Sequence, residues 1–100
     1  MGNSVIAEKL KLLPSSPGVY IMLDAEGTVI YVGKARVLKN RVRQYFQHTQ
    51  KPVKVQAMVD CISDFQYVVT PTEVDALALE NTYIKKYKPK YNILLKDDKT

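Results

Sequence analysis

The feature that most constrains the fold of this 100-residue chain is a pair of apolar segments separated by a short polar stretch. Residues 18–23 have the sequence GVYIML and residues 29–33 have the sequence VIYVG, with Gly27 between them. Two apolar runs around a glycine-containing turn are typical of a β-hairpin. Pairing of these strands would place Tyr20 and Tyr31 on one small patch of sheet.

Both faces of the predicted hairpin are apolar, because apolar residues occupy successive positions along each strand. The second strand should alternate strictly, with Ile30 and Val32 on one face and Val29 and Tyr31 on the other. A sheet that is apolar on both faces needs a covering layer on both. Helices are therefore expected on both sides of the hairpin.

The spacing of apolar residues predicts helices over residues 4–12, 37–46, 52–62 and 70–87, and a third strand over residues 65–70. In the last helix Thr70 should be the cap, Pro71 the first helical residue and Glu73 the end of a capping box. Pro89 forbids continuation of this helix, so residues 91–95 should pack back as an extended tail. The predicted fold class is α/β (α+β), a small, mostly antiparallel three-stranded sheet flanked by helices in the order α-β-β-α-α-β-α.

Length and composition fit one globular domain over residues 1–100, with 46% apolar and 25% charged residues. No apolar run is long enough to span a membrane and no secretory signal is visible, so a cytoplasmic location is expected. The domain is also expected to be monomeric. Cys61 is the only cysteine, which excludes an internal disulfide, and it should be a small buried residue. A Ser/His/Asp triad could form only through the single histidine, His48.

The net charge of +5 is unevenly distributed. No acidic residue occurs between Glu26 and Asp60, and a second basic segment with interleaved tyrosines covers residues 83–91. The basic residues of the acid-free stretch are Lys34, Arg36, Lys39, Arg41, Arg43, Lys51 and Lys54. Such one-signed segments with aromatic residues predict a nucleic-acid surface. The alternative is an ordinary solvated helix face.

Glu80 is the most informative acidic residue. Its helical neighbours three and four positions away are all apolar, so no intrahelical ion pair is available to it. A carboxylate on an apolar stripe needs a cation or a tertiary partner. Glu80 is therefore predicted to bind a divalent metal ion or to form a tertiary salt bridge with a residue such as Arg41.

The tyrosines and cations of the hairpin region suggest phosphate chemistry. A phenol is a poor base at neutral pH, but neighbouring cations such as Lys34 favour its phenolate. Arg41 could hold two oxygens of a phosphate, and Tyr45 lies one helical turn beyond it. Gly33 would let the backbone turn tightly beside a substrate.

Residues 18–20 and 31–33 resemble the two halves of the motif that names the GIY-YIG endonucleases, with Val for Ile in both. The resemblance continues through residues 34–42, 77–81 and 85–92. The last segment is similar to the amino-terminal nuclease domain of the UvrC family of bacterial nucleotide excision repair.

The resemblance implies a DNA endonuclease that uses one divalent metal ion, Mg²⁺ or Mn²⁺, bound by Glu80. It implies that Tyr31 accepts a proton from water, that Arg41 steadies the phosphate, and that Asn92 supports the site. The implied catalytic residues are Tyr20, Tyr31, Lys34, Arg41, Tyr45, Glu80 and Asn92. The expected DNA-binding residues are Gly33, Lys34, Arg36, Lys39, Arg41, Arg43, Lys85 and Lys86.

The substrate implied by the resemblance is damaged duplex DNA, cut on the 3′ side of a lesion that UvrA and UvrB locate. The chain would then be one domain of a longer protein. Three alternatives stay open: a stand-alone GIY-YIG nuclease or UvrC-like homologue, a DNA-binding module of the same fold that does not cut, and a protein-interaction domain.

Overall fold

The computed structural model describes residues 2–97 of the chain, and the side chains of residues 6–95. Within this range the elements follow the predicted order, with one additional helix at the end. They are α1 (Gly2–Leu12), β1 (Gly18–Leu23), β2 (Val29–Ala35), α2 (Leu38–Tyr45), α3 (Val53–Cys61), β3 (Asp64–Val69), α4 (Glu73–Tyr87) and α5 (Lys90–Asp97). No helix in the described part of the chain is long and apolar enough to cross a membrane.

The three strands form one antiparallel sheet in the order β2-β1-β3, which confirms the predicted sheet. The hairpin register contains a β-bulge, because Met22 pairs with Tyr31 while the next residue, Leu23, pairs with Val29. Ile30 is the extra residue, and it faces the same core as Tyr31. Strict alternation along β2 was therefore a wrong prediction, since a bulge shifts the side-chain pattern by one residue.

Apolar side chains cover both faces of the sheet, as the sequence predicted. On the larger side, Tyr20, Met22 and Phe65 are buried in the core that includes Leu38 of α2 and Met58 of α3. The smaller core contains Val19, Ile21, Val32 and Ala76, the last from α4. The central strand β1 thus contributes alternate residues to two cores, and this fixes its register.

Helix α4 begins later than predicted. Thr72 is the N-cap residue, and its hydroxyl accepts a hydrogen bond from the Asp75 backbone N–H at 3.2 Å. The hydroxyl of Thr70 instead donates to the carbonyl of Thr72 at 2.8 Å. Thr70 therefore orders the turn before the helix, and Glu73, as the first helical residue, does not close the predicted capping box.

The chain beyond Pro89 forms helix α5, so the predicted extended tail was wrong. Lys88 ends α4 in the left-handed region with φ 45°, which redirects the backbone. The carbonyl of Pro89 then accepts hydrogen bonds from the backbone N–H groups of Asn92 and Ile93, at 3.2 and 3.4 Å. A proline cannot continue a helix but suits the start of one, so Pro89 separates two helices.

Cys61 also differs from its prediction. It lies at the last position of α3 and is exposed, with its Sγ atom 3.9 Å from the hydroxyl of Tyr91. The apolar neighbours of Cys61 in sequence suggested burial, but the helix ends there and its buried residue is Met58.

Candidate active site

Three tyrosines from three elements form a compact group, which we call the tyrosine cluster: Tyr20 of β1, Tyr31 of β2 and Tyr45 of α2. The ring centres of Tyr20 and Tyr31 are 6.2 Å apart, and Tyr45 lies 5.6 Å from the first and 6.3 Å from the second. The hydroxyls of Tyr20 and Tyr45 are hydrogen-bonded at 2.8 Å. The sequence predicted that Tyr20 and Tyr31 would be neighbours, and α2 adds the third phenol.

Gly33 makes room for this cluster. It pairs with Tyr20 across the two strands, and a Cβ atom at Gly33 would lie 2.3 Å from the Tyr20 hydroxyl and 2.4 Å from its Cζ. Gly33 is itself buried. The glycine is thus explained by packing against Tyr20, which the sequence did not predict, and direct contact of Gly33 with DNA stays a prediction.

The environment of Tyr20 and Tyr31 keeps these two phenols protonated. Burial raises the pKa of Tyr20 and of Tyr31 well above the ordinary value, and the neighbouring Tyr45 raises both further. Arg41 acts in the opposite direction on both groups, and the charge of Glu80 adds to the rise at Tyr31. The sequence predicted that cations would favour the Tyr31 phenolate, but burial outweighs Arg41 and the net direction is the reverse.

These raised pKa values predict alkaline destabilisation. In the unfolded chain these two phenols ionise near pH 10, whereas in the folded chain they ionise at higher pH. Their contribution to the free energy of unfolding is therefore fully present below about pH 10 and is lost as the pH rises above it. Each such tyrosine lowers the free energy of unfolding by about 1.4 kcal/mol per pH unit in that window. Urea unfolding of the native chain and of Tyr31→Phe between pH 9 and 11 would measure this. The Phe variant should show a shallower fall, and equal slopes would contradict the assignment.

Arg41 places a guanidinium beside the cluster. It lies on α2 one turn before Tyr45, with its Cζ atom 5.9 Å from the centre of that ring. It also lines a cleft of about 260 Å³ together with Lys34, Arg36 and Glu73. Arg36 donates to Glu73 at 3.2 Å, and its side chain is 80% exposed. The cleft therefore presents cations next to the phenols, as a site for a phosphate requires.

Glu80 approaches the cluster from α4. Its residue is half-buried, and its charge acts on Tyr31, which lies on the edge strand β2. Helix α4 covers the opposite face of the sheet from α2, so Glu80 and Arg41 reach Tyr31 from different sides. Tyr31 is thus the residue on which the charges of both Arg41 and Glu80 act.

Asn92 binds the open edge of β2. Its Nδ2 donates to the carbonyl oxygen of Val32 at 2.8 Å, and its Oδ1 accepts from the Val32 backbone N–H at 2.8 Å. The side-chain amide pairs with the edge strand as a further strand would. Asn92 therefore ties α5 to the backbone between Tyr31 and Gly33, and its part in catalysis stays a prediction.

The other predicted DNA-binding residues lie apart from the cluster. Lys39 and Arg43 line a different depression, toward α1. Lys85 and Lys86 lie exposed in the last turn of α4, with Lys86 Nζ 5.2 Å from the ring centre of Tyr87. His48 is exposed in the loop after α2, and none of its described contacts forms a catalytic triad.

The donor set suits a hard divalent cation. Among the described residues there is no group of three or more His, Cys, Asp or Glu side chains that could hold a metal ion. Zinc sites usually require three or four such ligands, whereas Mg²⁺ often binds through one or two carboxylates, with waters and phosphate oxygens completing its shell. Glu80, a half-buried carboxylate whose charge acts on Tyr31, fits the second type of site.

Comparison with known families first defines the class. The UvrC-like GIY-YIG domain matches residues 16–93, and the chain belongs to this family. This confirms the resemblance and, at the level of the family, the endonuclease class that it implied.

Two UvrABC system proteins resemble this chain along almost its whole length. The chain is 66% identical over 95 residues to UvrABC system protein C of Caldanaerobacter subterraneus subsp. tengcongensis, covering 94% of this chain and 15% of that protein. The corresponding protein of Ruminiclostridium cellulolyticum is 70% identical over 95 residues, covering 94% of this chain and 16% of that protein. The chain thus spans about a sixth of the length of these relatives.

A solved structure has the same fold. The GIY-YIG N-terminal endonuclease domain of UvrC from Thermotoga maritima, bound to magnesium as its catalytic divalent cation, matches with a TM-score of 0.77 and 39% identity. The match covers 87% of this chain and 94% of that chain. Point mutants of the Thermotoga domain with phenylalanine in place of one tyrosine are also bound to the cation.

Proposed function

We propose that this chain is a divalent-metal-dependent endonuclease domain that hydrolyses a phosphodiester bond of DNA. The observation that carries the proposal is the tyrosine cluster, which has Arg41 on one side and the charge of Glu80 acting on Tyr31 from the other. Phenols, a guanidinium and a carboxylate that act on one tyrosine, Tyr31, are the groups that phosphate hydrolysis needs. A binding module that does not cut would require only the cations.

Glu80 is the residue that would hold the metal ion. In the Thermotoga relative, loss of a single tyrosine hydroxyl leaves the cation bound, which favours a carboxylate as the ligand there. A bound divalent cation would stabilise the charge that develops on the phosphate and would favour the phenolate of Tyr31. Mg²⁺ is the ion of the relative, and use of Mn²⁺ by this chain is a further expectation.

Arg41 would bind the phosphate, and Tyr31 would act on the attacking water. Arg41 can donate to two phosphate oxygens and oppose the charge of the pentacovalent state. Burial raises the pKa of Tyr31, the positive charge of Arg41 lowers it, and a bound cation would lower it further. As the phenolate, Tyr31 would orient the attacking water and accept its proton. Tyr20 and Tyr45, hydrogen-bonded to each other, hold these two groups in place, and Lys34 adds positive charge to the cleft that Arg41 lines.

The biological context follows from the relatives. We propose that the chain is the nuclease domain of a longer UvrC protein, that it makes the 3′ incision in damaged duplex DNA, and that UvrA and UvrB locate the lesion. The similarity to UvrABC system protein C along almost the whole chain supports this over a stand-alone nuclease. A cytoplasmic location and a monomeric domain stay predictions.

Charge reversal at two arginines tests the assignment. Arg41→Glu should lower Mg²⁺-dependent nicking of supercoiled plasmid by about 100-fold or more, the usual effect of removing one donor to a developing oxyanion. Arg36→Glu changes the charge equally, but Arg36 is largely exposed and paired with Glu73, so a loss of less than about tenfold is expected. Nicking should stop in EDTA. Equal losses in the two variants would contradict the role of Arg41, and metal-independent nicking would contradict the proposed function.

A further inference from the structure

The basic side chains of α2 lie on two different flanks of that helix. Successive helical residues are about 100° apart, so Lys39 and Arg43 share one flank and Arg41 projects about 200° from each of them. Arg41 lines a depression of about 440 Å³ that also contains Tyr45. Lys39 and Arg43 line a separate depression of about 320 Å³. One phosphate cannot contact all three side chains.

The second depression carries positive charge from two helices. Lys11 of α1 joins Lys39 and Arg43 in its lining, above the apolar side chains of Ala7 and Leu10. Within the described side chains, residues 6–95, none of these three cations forms a salt bridge. Nor does the side chain of Lys11, Lys39 or Arg43 donate a hydrogen bond to any residue in this described range. Three like charges that converge without an acidic partner repel one another, and an anionic ligand would offset this repulsion.

The shape of α2 matches the separation of two DNA strands. A helix with its side chains is about 10–12 Å across, and the major groove of B-DNA is about 12 Å wide. A phosphate of one strand could therefore lie on one flank of α2 while a phosphate of the other strand lies on the opposite flank. Asn40 and Gln44, which lie between the flanks, are exposed and uncharged. No acidic residue occurs from residue 27 to residue 59, so α2 repels neither strand.

We propose that α2 is a ridge held between the two strands of a DNA duplex. The flank with Arg41 holds the strand to be cut, and Lys11, Lys39 and Arg43 bind a phosphate of the complementary strand. This rests on the proposed function and adds to it that the domain binds the uncut strand as well. A single nick follows, because the tyrosine cluster lies on one flank only.

Binding to duplex and to single strand separates this role from general attraction. Lys39→Ala/Arg43→Ala should weaken binding to a short labelled duplex in EDTA by at least about tenfold, with less than about threefold loss for the labelled strand alone. The salt dependence for duplex should fall by about 0.9 in log–log slope for each phosphate that the variant no longer binds. Lys39→Arg/Arg43→Lys keeps both charges and should bind like the native chain. Circular dichroism checks that each variant is folded.

Uncharged linkages in the DNA backbone show which strand Lys39 and Arg43 contact. Methylphosphonate linkages in the complementary strand should weaken binding by the native chain but should not weaken binding by the double variant further. Equal weakening of both proteins, equal losses on duplex and single strand, or unchanged duplex binding would each overturn the inference. If the native chain nicks with Mg²⁺ while duplex binding by the variant is unchanged, only this inference fails. If the native chain neither nicks nor binds DNA, the proposed function fails with it.

Discussion

Glu80→Gln is expected to reduce Mg²⁺-dependent nicking by at least about 100-fold while leaving DNA binding in EDTA intact. A Lewis acid contributes several kcal/mol to transition-state stabilisation, and each ~1.4 kcal/mol corresponds to tenfold in rate. The substitution preserves the size of the half-buried side chain and removes only its charge. Plasmid nicking under single-turnover conditions gives the rate, and Mn²⁺ titration by calorimetry gives metal affinity.

The effect of Glu80 on the pKa of Tyr31 lets this experiment distinguish a metal ligand from a residue that acts only through Tyr31. The negative charge of Glu80 raises the pKa of Tyr31, so its removal lowers that pKa and favours a basic phenolate. If Glu80 acted only by tuning Tyr31, the variant would cut as fast as the native chain or faster. Loss of both nicking and Mn²⁺ binding would identify Glu80 as the metal ligand. Glu26→Gln, in the exposed hairpin turn, removes the same charge and should change neither quantity.

Gly33→Ala is expected to disrupt the site by displacing Tyr20. The added Cβ would lie 2.3 Å from the Tyr20 hydroxyl and 2.4 Å from Cζ, and Tyr20 is only 1% exposed. A buried ring has nowhere to move without repacking, so the free energy of unfolding should fall by about 1–3 kcal/mol. Because Tyr20 is hydrogen-bonded to Tyr45, the cluster should lose its geometry. Nicking should therefore fall more than the modest loss of folded protein explains.

A double-variant cycle checks that Tyr20 is the cause. Tyr20→Phe removes the hydroxyl but leaves the ring, whose Cζ and Cε1 atoms would still lie within 2.7 Å of the new Cβ. Tyr20→Phe should thus relieve only part of the loss of stability in Gly33→Ala, while Tyr20→Leu should relieve more of it. Thermal unfolding measures both. Additive losses in the two double variants would show that the glycine is needed for another reason.

Several parts of the fold were predictable because their signals are local. The hairpin follows from two apolar runs around a turn, and the helix periods of α2 and α4 follow from spacing within single segments. The errors came where distant contacts decide. Thr70 and Thr72 are both good caps by their residue type. The backbone N–H of Thr70 donates to the carbonyl of Pro17, far away in the sequence, at 3.0 Å, and Thr72 is the residue whose hydroxyl caps the helix.

The chain beyond Pro89 shows the same limit. Proline predicts the end of α4 correctly, but whether the following residues form an extended segment or a helix depends on what they pack against. Asn92 pairs with the Val32 backbone on the β2 edge, a contact across 60 residues that no local pattern contains. The bulge at Ile30 is likewise invisible in a run of apolar residues, since every neighbouring position is equally apolar.

The sequence by itself determined the family, the hairpin with its two tyrosines, and Glu80 as a carboxylate on an apolar stripe, because motif spacing and helical period are properties of the chain alone. The tertiary structure decided which groups meet. Helix α2 brings Tyr45 and Arg41 to the sheet, and burial raises the pKa of Tyr31 against the direction that the nearby cations favoured. The orientation of α2 on the core also brings Lys39 and Arg43 next to Lys11 of α1, whereas their separation from Arg41 around the helix follows from the helical period alone.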